Sequence, residues 1–216
     1  MQQPNIILKT FETPLGTVNC GLAADSTGLN MLGQNSYENG QSAIYATAGH
    51  RVELIEFKIR EAPADHGSVK DSKGWIWKIK KLNDVSEELT VYCLFENPVV
   101  AVEFDAASGE RLDAIEVFND NWRLYIGTED GEALNSRAEN EDEFPARLVN
   151  KVDFYNSITK TQQTGFKSVI PALNKNEIIH LQYLSAYQKK IEGNLDAWFA
   201  VDQEKRRLDN WIGIPW

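Results

Sequence analysis

Residues 75–81 read Trp-Ile-Trp-Lys-Ile-Lys-Lys, and this stretch decides the fold class. Its apolar side chains Trp75, Trp77 and Ile79 recur at every second position, with Lys78 between two of them. Successive side chains of a β-strand point to opposite faces of the sheet, so this alternation predicts a strand with one buried and one solvated face. Both tryptophans are therefore expected in a core.

The same period of two continues through most of the first 155 residues. It is clearest from Leu89 to Phe95, from Val100 to Phe104 and from Trp122 to Ile126. Clusters of turn-forming residues separate these segments, at intervals typical of antiparallel hairpins. We therefore predict a mainly β protein of the α+β kind, in which residues 1–160 form an antiparallel β domain. A β-sandwich, a barrel and one strongly bent sheet all fit this pattern.

After Pro171 the apolar period becomes helical. The spacing of Ile178, Leu181 and Leu184 predicts an amphipathic helix that ends near residue 191. A second helix is predicted around Trp198, and it must end before Pro215. Residues 174–211 are thus predicted to form a helical element of two C-terminal helices that packs on the sheet and belongs to the same domain.

Composition limits the class of protein. The chain has 216 residues, 42% of them hydrophobic, which is enough for a substantial core. No window has the eighteen or so uncharged apolar residues of a membrane helix, and the first residues lack the positive charge of a secretion signal. The sequence therefore predicts a cytoplasmic protein that does not enter a membrane. Cys20 and Cys93 lie in separate strand-like runs, so free thiols are predicted rather than a disulfide framework.

Negative charge is concentrated in one third of the chain. Residues 101–150 hold 13 Asp and Glu against four Arg and Lys, whereas the whole chain has a net charge of −10. A nucleic acid would require an excess of positive charge, so the sequence predicts no binding of nucleic acid. Such a negative surface favours association with a basic protein, although acidic loops also serve solubility alone.

The densest acidic stretch runs from residue 129 to residue 143 and contains one base, Arg137. Burying so many carboxylates would cost more free energy than one base returns, so we expect an exposed connection that binds the partner. The alternative is that the carboxylates are structural and pair with the bases at 205–207. The predicted partner-binding residues are Glu129, Asp130, Glu132, Glu139, Glu141, Asp142 and Glu143.

Motifs for catalysis, phosphate binding or metal binding are absent from the sequence, so we predict no cofactor and no metal. Only three histidines are available for acid–base chemistry. His66 is the strongest candidate among them, because Asp65 and Glu61 lie nearby and a carboxylate can orient an imidazole and raise its pKa. An enzyme of unrecognised type that uses this group is therefore an alternative hypothesis.

Lysines and tryptophans interleave between residues 70 and 81, as they do on surfaces that stack on bases or sugar rings. A carbohydrate-binding β module that displays Trp75 and Trp77 is thus a third hypothesis. The alternation of the segment favours core packing over display. The leading hypothesis is a non-enzymatic binding protein, such as an inhibitor or a toxin-immunity protein, that acts through its acidic surface on a basic protein partner.

Overall fold

The structure is a computed structural model that describes residues 5–25, 28–59, 68–149 and 158–214. Within these ranges the strands, numbered in chain order, are β1 (Asn5–Glu12), β2 (Thr17–Ala24), β3 (Asn30–Tyr37), β4 (Gly40–Ala46), β5 (His50–Phe57), β6 (Val69–Lys81), β7 (Leu89–Glu96), β8 (Glu103–Ser108), β9 (Leu112–Phe118), β10 (Trp122–Glu129), β11 (Thr159–Gln162), β12 (Gly165–Val169) and β13 (Ile178–Lys189). The helices are α1 (Gly131–Glu139), α2 (Asp196–Val201) and α3 (Lys205–Ile212), with one 3-10 turn at Ala146–Leu148.

Two open antiparallel sheets pack together. The small sheet has the strand order β1-β2-β7-β12-β11, and the large sheet has the order β3-β4-β5-β6-β13-β10-β9-β8. Every strand pair in both sheets is antiparallel. The predicted mainly β fold is confirmed, in the form of a sandwich.

The main core lies between the two sheets and follows the alternation of the sequence. Trp75 and Trp77 are fully buried there. Val91, Cys93 and Leu124 are also buried, as predicted, whereas the predicted core residues at 102 and 104 are half-buried and pack against its margin. One face of each of these strands therefore supplies the core, as the period of two requires.

A second core lies on the outer face of the large sheet, which α2 and α3 cover. Ile76 and Leu184 of the sheet are buried there with Ala200 and Leu208 of the helices. Helix α1 instead contributes Leu134 to the core between the sheets. Within the described ranges, the large sheet thus contributes buried hydrophobic residues to a core on each face, and the small sheet contributes them to the core between the sheets.

The first predicted C-terminal helix is wrong, because residues 178–189 form strand β13. This strand lies between β6 and β10 in the middle of the large sheet, and nearly all of its residues are buried. A strand that is buried on both faces has apolar residues at odd and even positions alike. Such a run also contains the i, i+3 and i+4 spacings of a helix by coincidence. Only the second predicted helix exists, and a bend between Val201 and Lys205 divides it into α2 and α3.

Candidate functional site

A cavity of about 390 Å³ lies between α1, the chain around Arg111 and the connection from α2 to α3. Four carboxylates and four cations line it. In chain order these charged side chains belong to Arg111, Glu129, Arg137, Asp142, Asp202, Glu204, Lys205 and Arg206. The predicted acidic stretch therefore forms part of the wall of this cavity, together with side chains from two other parts of the chain.

Arg137 fixes one side of the cavity. Its Nη1 contacts Glu129 Oε2 at 2.5 Å, and both side chains are buried. Nε and Nη2 of the same guanidinium donate to the carbonyl oxygen of Asp142 at 3.2 and 3.1 Å, and Nη1 also donates to the carbonyl oxygen of His180. The planar guanidinium thus ties α1 to β10, to β13 and to the chain that follows α1.

Lys205, the first residue of α3, is a second buried cation. Its Nζ lies 2.7 Å from Asp209, 3.0 Å from Asp142 and 3.4 Å from Glu143. Burial disfavours the charged ammonium, but the hydrogen bonds that it donates to Asp209 and Asp142 outweigh this effect and raise the pKa of Lys205. Two of these three carboxylates belong to the acidic stretch, so α3 is bound to it electrostatically.

Glu143 connects this cluster to the large sheet. Its carboxylate accepts hydrogen bonds from Lys78 at 2.8 Å and from His180 Nδ1 at 3.2 Å. Burial alone would raise the pKa of Glu143, but the contacts with His180 and Lys78 overcome it and hold that pKa well below its usual range. Burial and the nearby Arg137 lower the pKa of His180, so the imidazole is neutral near pH 7 and donates its Nδ1 proton.

The prediction of an exposed connection is therefore wrong for Glu129, and three others of the seven predicted partner-binding residues are partly buried and held in contacts. Glu129 is buried, Asp142 and Glu143 are paired with Lys205, and the Asp130 side chain accepts from the backbone N–H of Ala133 at 2.8 Å as the N-cap of α1. Arg137 of the same stretch compensates Glu129, whereas Lys78 and Lys205, which pair with Glu143 and Asp142, come from distant segments. The count of charges within the stretch therefore overestimated the cost of burial. The other three, Glu132, Glu139 and Glu141, are exposed as predicted.

The end of α1 breaks two local preferences. The Glu141 N–H donates to the carbonyl of Ala138 and the Asp142 N–H to that of Arg137, which is the Schellman pattern of helix ends. In this pattern the residue after the helix cap has a left-handed backbone conformation, in which glycine is favoured. Here that residue is Glu141, with φ of 51°. Exposed carboxylates at 139 and 141 also stand at the negative end of the helix dipole, where cations are favoured.

Three further exposed carboxylates lie on this side of the molecule: Asp202 and Glu204 line the cavity, and Glu110 precedes the lining residue Arg111. Partial burial raises the pKa of Asp202, and the neighbouring Glu204 and Glu110 raise it further, against the lowering effect of Arg207. We call the six exposed acids the acidic rim: Glu110, Glu132, Glu139, Glu141, Asp202 and Glu204. Exposed Arg111, Arg206 and Arg207 lie on the same side and offset part of its charge.

Sequence reasoning missed Asp202 and Glu204 as members of this surface. Residues 174–209 contain equal numbers of acids and bases, so no local excess of charge marked them. Only the fold, which brings the connection between α2 and α3 against α1, places them beside the acidic stretch.

Two of the three histidines are held in structural contacts. His50 Nδ1 lies 2.7 Å from Glu87 Oε2, which also accepts from the Thr47 hydroxyl and from the Gly49 N–H. Burial lowers the pKa of His50 more than Glu87 raises it, so the ring is neutral and fastens the loop that carries Glu87. The third histidine, His66, falls outside the described residues.

The enzyme hypothesis rests on Glu61, Asp65 and His66, and all three fall outside the described residues. Within the described ranges no group of three or more His, Cys, Asp or Glu side chains could hold a metal ion. The hypothesis of a displayed tryptophan pair is wrong, because Trp75 and Trp77 are fully buried in the core and offer no face to a sugar or a base.

Comparison with protein families and with curated proteins does not identify the chain. No model of a protein family matches it, and no curated protein matches it either. In the part of the chain that the structure describes, no helix is long and apolar enough to cross a membrane.

Proposed function

We propose that this chain is a non-enzymatic binding protein that receives a basic protein partner on its acidic rim, as an inhibitor or a toxin-immunity protein does. The observation that carries the proposal is the placement of Glu139 and Glu141 at the end of α1. Both are exposed and lack an ion pair among the described residues, and each breaks a preference that stabilises helices. Glu139 accepts one exposed hydrogen bond, from the side-chain amide of Asn135 at 3.2 Å. Residues that break local rules are expected at functional sites.

Among the described residues, the division of these acids into those with ion pairs and those without supports the same proposal. Glu129, Asp142 and Glu143 are bound to Arg137 and Lys205 and hold the cavity wall in shape. The rim residues do not take part in that cluster, so they are open to an approaching cation. A rigid support with exposed carboxylates raises the association rate of a basic partner, and added salt reduces that rate.

In this proposal the protein binds its partner in the cytoplasm, and nucleic acid is not a ligand. Two unbridged thiols are typical of a reducing compartment. A net charge of −10 repels a phosphate backbone.

A matched pair of variants tests the proposal. The rim variant carries Glu132→Gln, Glu139→Gln and Glu141→Gln, and the control carries Glu38→Gln, Asp84→Asn and Glu88→Gln, which removes the same charge from exposed positions elsewhere. Each protein is immobilised and exposed to extract of the source cells, and what elutes with salt is identified by mass spectrometry. We expect one basic protein retained by the wild type and the control, and lost with the rim variant.

Association rates are then measured with the purified partner. The rim variant should associate more slowly and show a flatter salt dependence, while its melting temperature stays within a few degrees of that of the wild type. Equal retention by the rim variant and the control would refute a role for the rim. The concentrated negative charge would then serve solubility alone.

A further inference from the structure

The two cysteines of the chain lie opposite each other in the small sheet. Cys20 belongs to β2 and Cys93 to β7, and the two are register partners in neighbouring strands. Both are part of the core between the sheets, and neither side chain is exposed to solvent. The fold therefore brings together two free thiols that lie 73 positions apart in the sequence.

The spacing of the two strands at this pair suits a disulfide. Strand β7 directs the backbone groups of Cys93 toward Phe166 of β12, so Cys93 and Cys20 exchange no backbone hydrogen bonds. The α-carbons of such a pair are about 4.5 Å apart, closer than those of a hydrogen-bonded pair. Disulfides join residues whose α-carbons are about 4.4–6.8 Å apart, so a bond can form here without displacement of either strand.

The core protects both thiols from reaction while the sheets are packed together. Trp77 of the large sheet donates its indole N–H to Cys20 Sγ at 3.3 Å. Burial raises the pKa of Cys93 well above its usual value, and the adjacent Cys20 thiol raises it further. The thiolate is the form of cysteine that attacks a disulfide. The closed protein thus offers an oxidant neither a thiolate nor an accessible sulfur, and reaction requires the two sheets to separate first.

We propose that Cys20 and Cys93 form a latent disulfide, which a small disulfide such as glutathione disulfide generates only when the two sheets separate. One cysteine thiolate attacks glutathione disulfide and releases one glutathione, and the second cysteine thiolate then attacks the mixed disulfide and releases the other. The protein loses two electrons and its two thiol protons. Glutathione disulfide takes up both and becomes two molecules of glutathione, so the step is balanced.

The position of the pair gives the disulfide a consequence for stability. The bond fastens the hairpin of β1 and β2 to β7, β12 and β11, and it closes a loop that contains β3, β4, β5 and β6. Such a loop restricts the unfolded chain, so the oxidised protein opens less readily than the reduced one. When the sheets close again, they shield the bond from reducing thiols. No residue of the acidic rim lies on β2 or β7, so this device is independent of the proposed partner site.

Mass spectrometry after treatment with glutathione disulfide identifies the product. The wild type is incubated with the oxidant, unfolded in acid and alkylated. We expect a single chain that is two hydrogens lighter, carries no glutathione and takes up no alkylating agent. Cys20→Ala and Cys93→Ala are the matched controls, because each keeps one thiol and can form only the mixed disulfide with glutathione. A wild type that carries glutathione without a bridge, or that stays fully reduced in urea, overturns the proposal.

The urea dependence of the rate tests whether opening controls the reaction. Urea just below the unfolding transition should accelerate oxidation of the wild type about tenfold or more, because it lowers the free energy of opening. A short unstructured peptide with two cysteines measures the effect of urea on the exchange itself, which should be small. Oxidation of the protein that is as fast as that of the peptide, and equally insensitive to urea, would contradict control by opening.

The melting temperature of the wild type, oxidised and reduced, provides a readout that needs no variant. The bridged protein should melt about 5–15 °C above the reduced protein, as expected for a disulfide that closes a long loop. Unfolding in the presence of a strong reductant, followed by refolding, should restore the lower value. A bridged protein that melts at or below the temperature of the reduced form would show that the bond distorts the sheet, and would refute the proposed stabilisation.

Discussion

Cys20 on β2 and Cys93 on β7 are register partners in the small sheet, and both side chains are fully buried. The Phe95 N–H donates to Thr164 and the Leu89 carbonyl accepts from Ile170, so alternate residues of β7 direct their backbone bonds toward β12. Cys93 therefore meets Cys20 as a non-hydrogen-bonded pair. The α-carbons of such a pair are about 4.5 Å apart, close enough for a disulfide.

We expect both thiols to be free in the protein as isolated. The strand runs that contain them predict buried reduced cysteines, and the structure has them free, with Trp77 donating its indole N–H to Cys20 Sγ at 3.3 Å. Alkylation of the unfolded, unreduced protein should label Cys20 and Cys93 on every chain. An unlabelled species two hydrogens lighter would show that they are bridged.

A Trp77→Ala change should destabilise the protein by about 3–5 kcal/mol, as deletion of a large aromatic side chain from a core does. Trp77 is fully buried between the sheets, so the change leaves a cavity. Denaturant unfolding at neutral pH measures the difference. A midpoint that barely moves would show that this face of β6 is not in the core.

Glu143→Gln should destabilise the protein by about 1–3 kcal/mol at pH 7, because Lys78 and Lys205 lose an acceptor. The pKa of Glu143 is lowered in the folded state, so its contribution to stability is complete above the unfolded value of about 4.3 and is lost as the pH falls toward the folded value. Urea unfolding from pH 7 to pH 3 should thus show the gap between wild type and variant closing below about pH 4.3.

Glu139→Gln is the control for that series. Glu139 is exposed and lacks an ion pair among the described residues, so its replacement should leave the midpoint almost unchanged at every pH. A gap between the wild type and Glu143→Gln that stays constant down to pH 3 would contradict the assigned direction of the pKa.

Glu141→Gly should stabilise the protein by about 1 kcal/mol, because glycine adopts the left-handed conformation of this residue without steric cost. Glu141→Gln separates the backbone from the charge, since glutamine keeps the steric cost and removes the carboxylate. We expect the midpoint of denaturant unfolding to rise clearly for glycine and only slightly for glutamine. Equal midpoints for the two variants would mean that loss of the carboxylate alone, and not the backbone conformation, changes the stability.

The alternation of apolar residues identified the main core because most strands have one solvated face. It failed where both faces are buried. Ile179 faces the core between the sheets and Leu184 faces the C-terminal helices, so β13 shows no alternation and its apolar spacing predicts a helix. Leu54 and Ile55 in β5 divide between the two cores in the same way. Only tertiary packing distinguishes such a strand from a helix.

The sequence predicts the negative charge of the site but not which carboxylates form ion pairs. The excess of acid around α1 is visible in the sequence, but the partners Lys78 and Lys205 of Glu143 lie 65 positions before it and 62 after it. Local composition contains no information about such contacts. It therefore could not separate the carboxylates that hold the cavity wall from those that remain exposed.

The central position of β13 has a consequence for biosynthesis. Its residues pair with β6 about one hundred positions earlier, as in Ile179 with Ile79, and it is the strand that joins β6 to β10. On the ribosome, β3–β6 and β8–β10 can form as separate antiparallel units, but each has an unpaired inner edge until β13 has emerged. We expect slow folding, because closing so large a loop costs chain entropy before its contacts form. The nascent chain should therefore depend on chaperones during the synthesis of its last third.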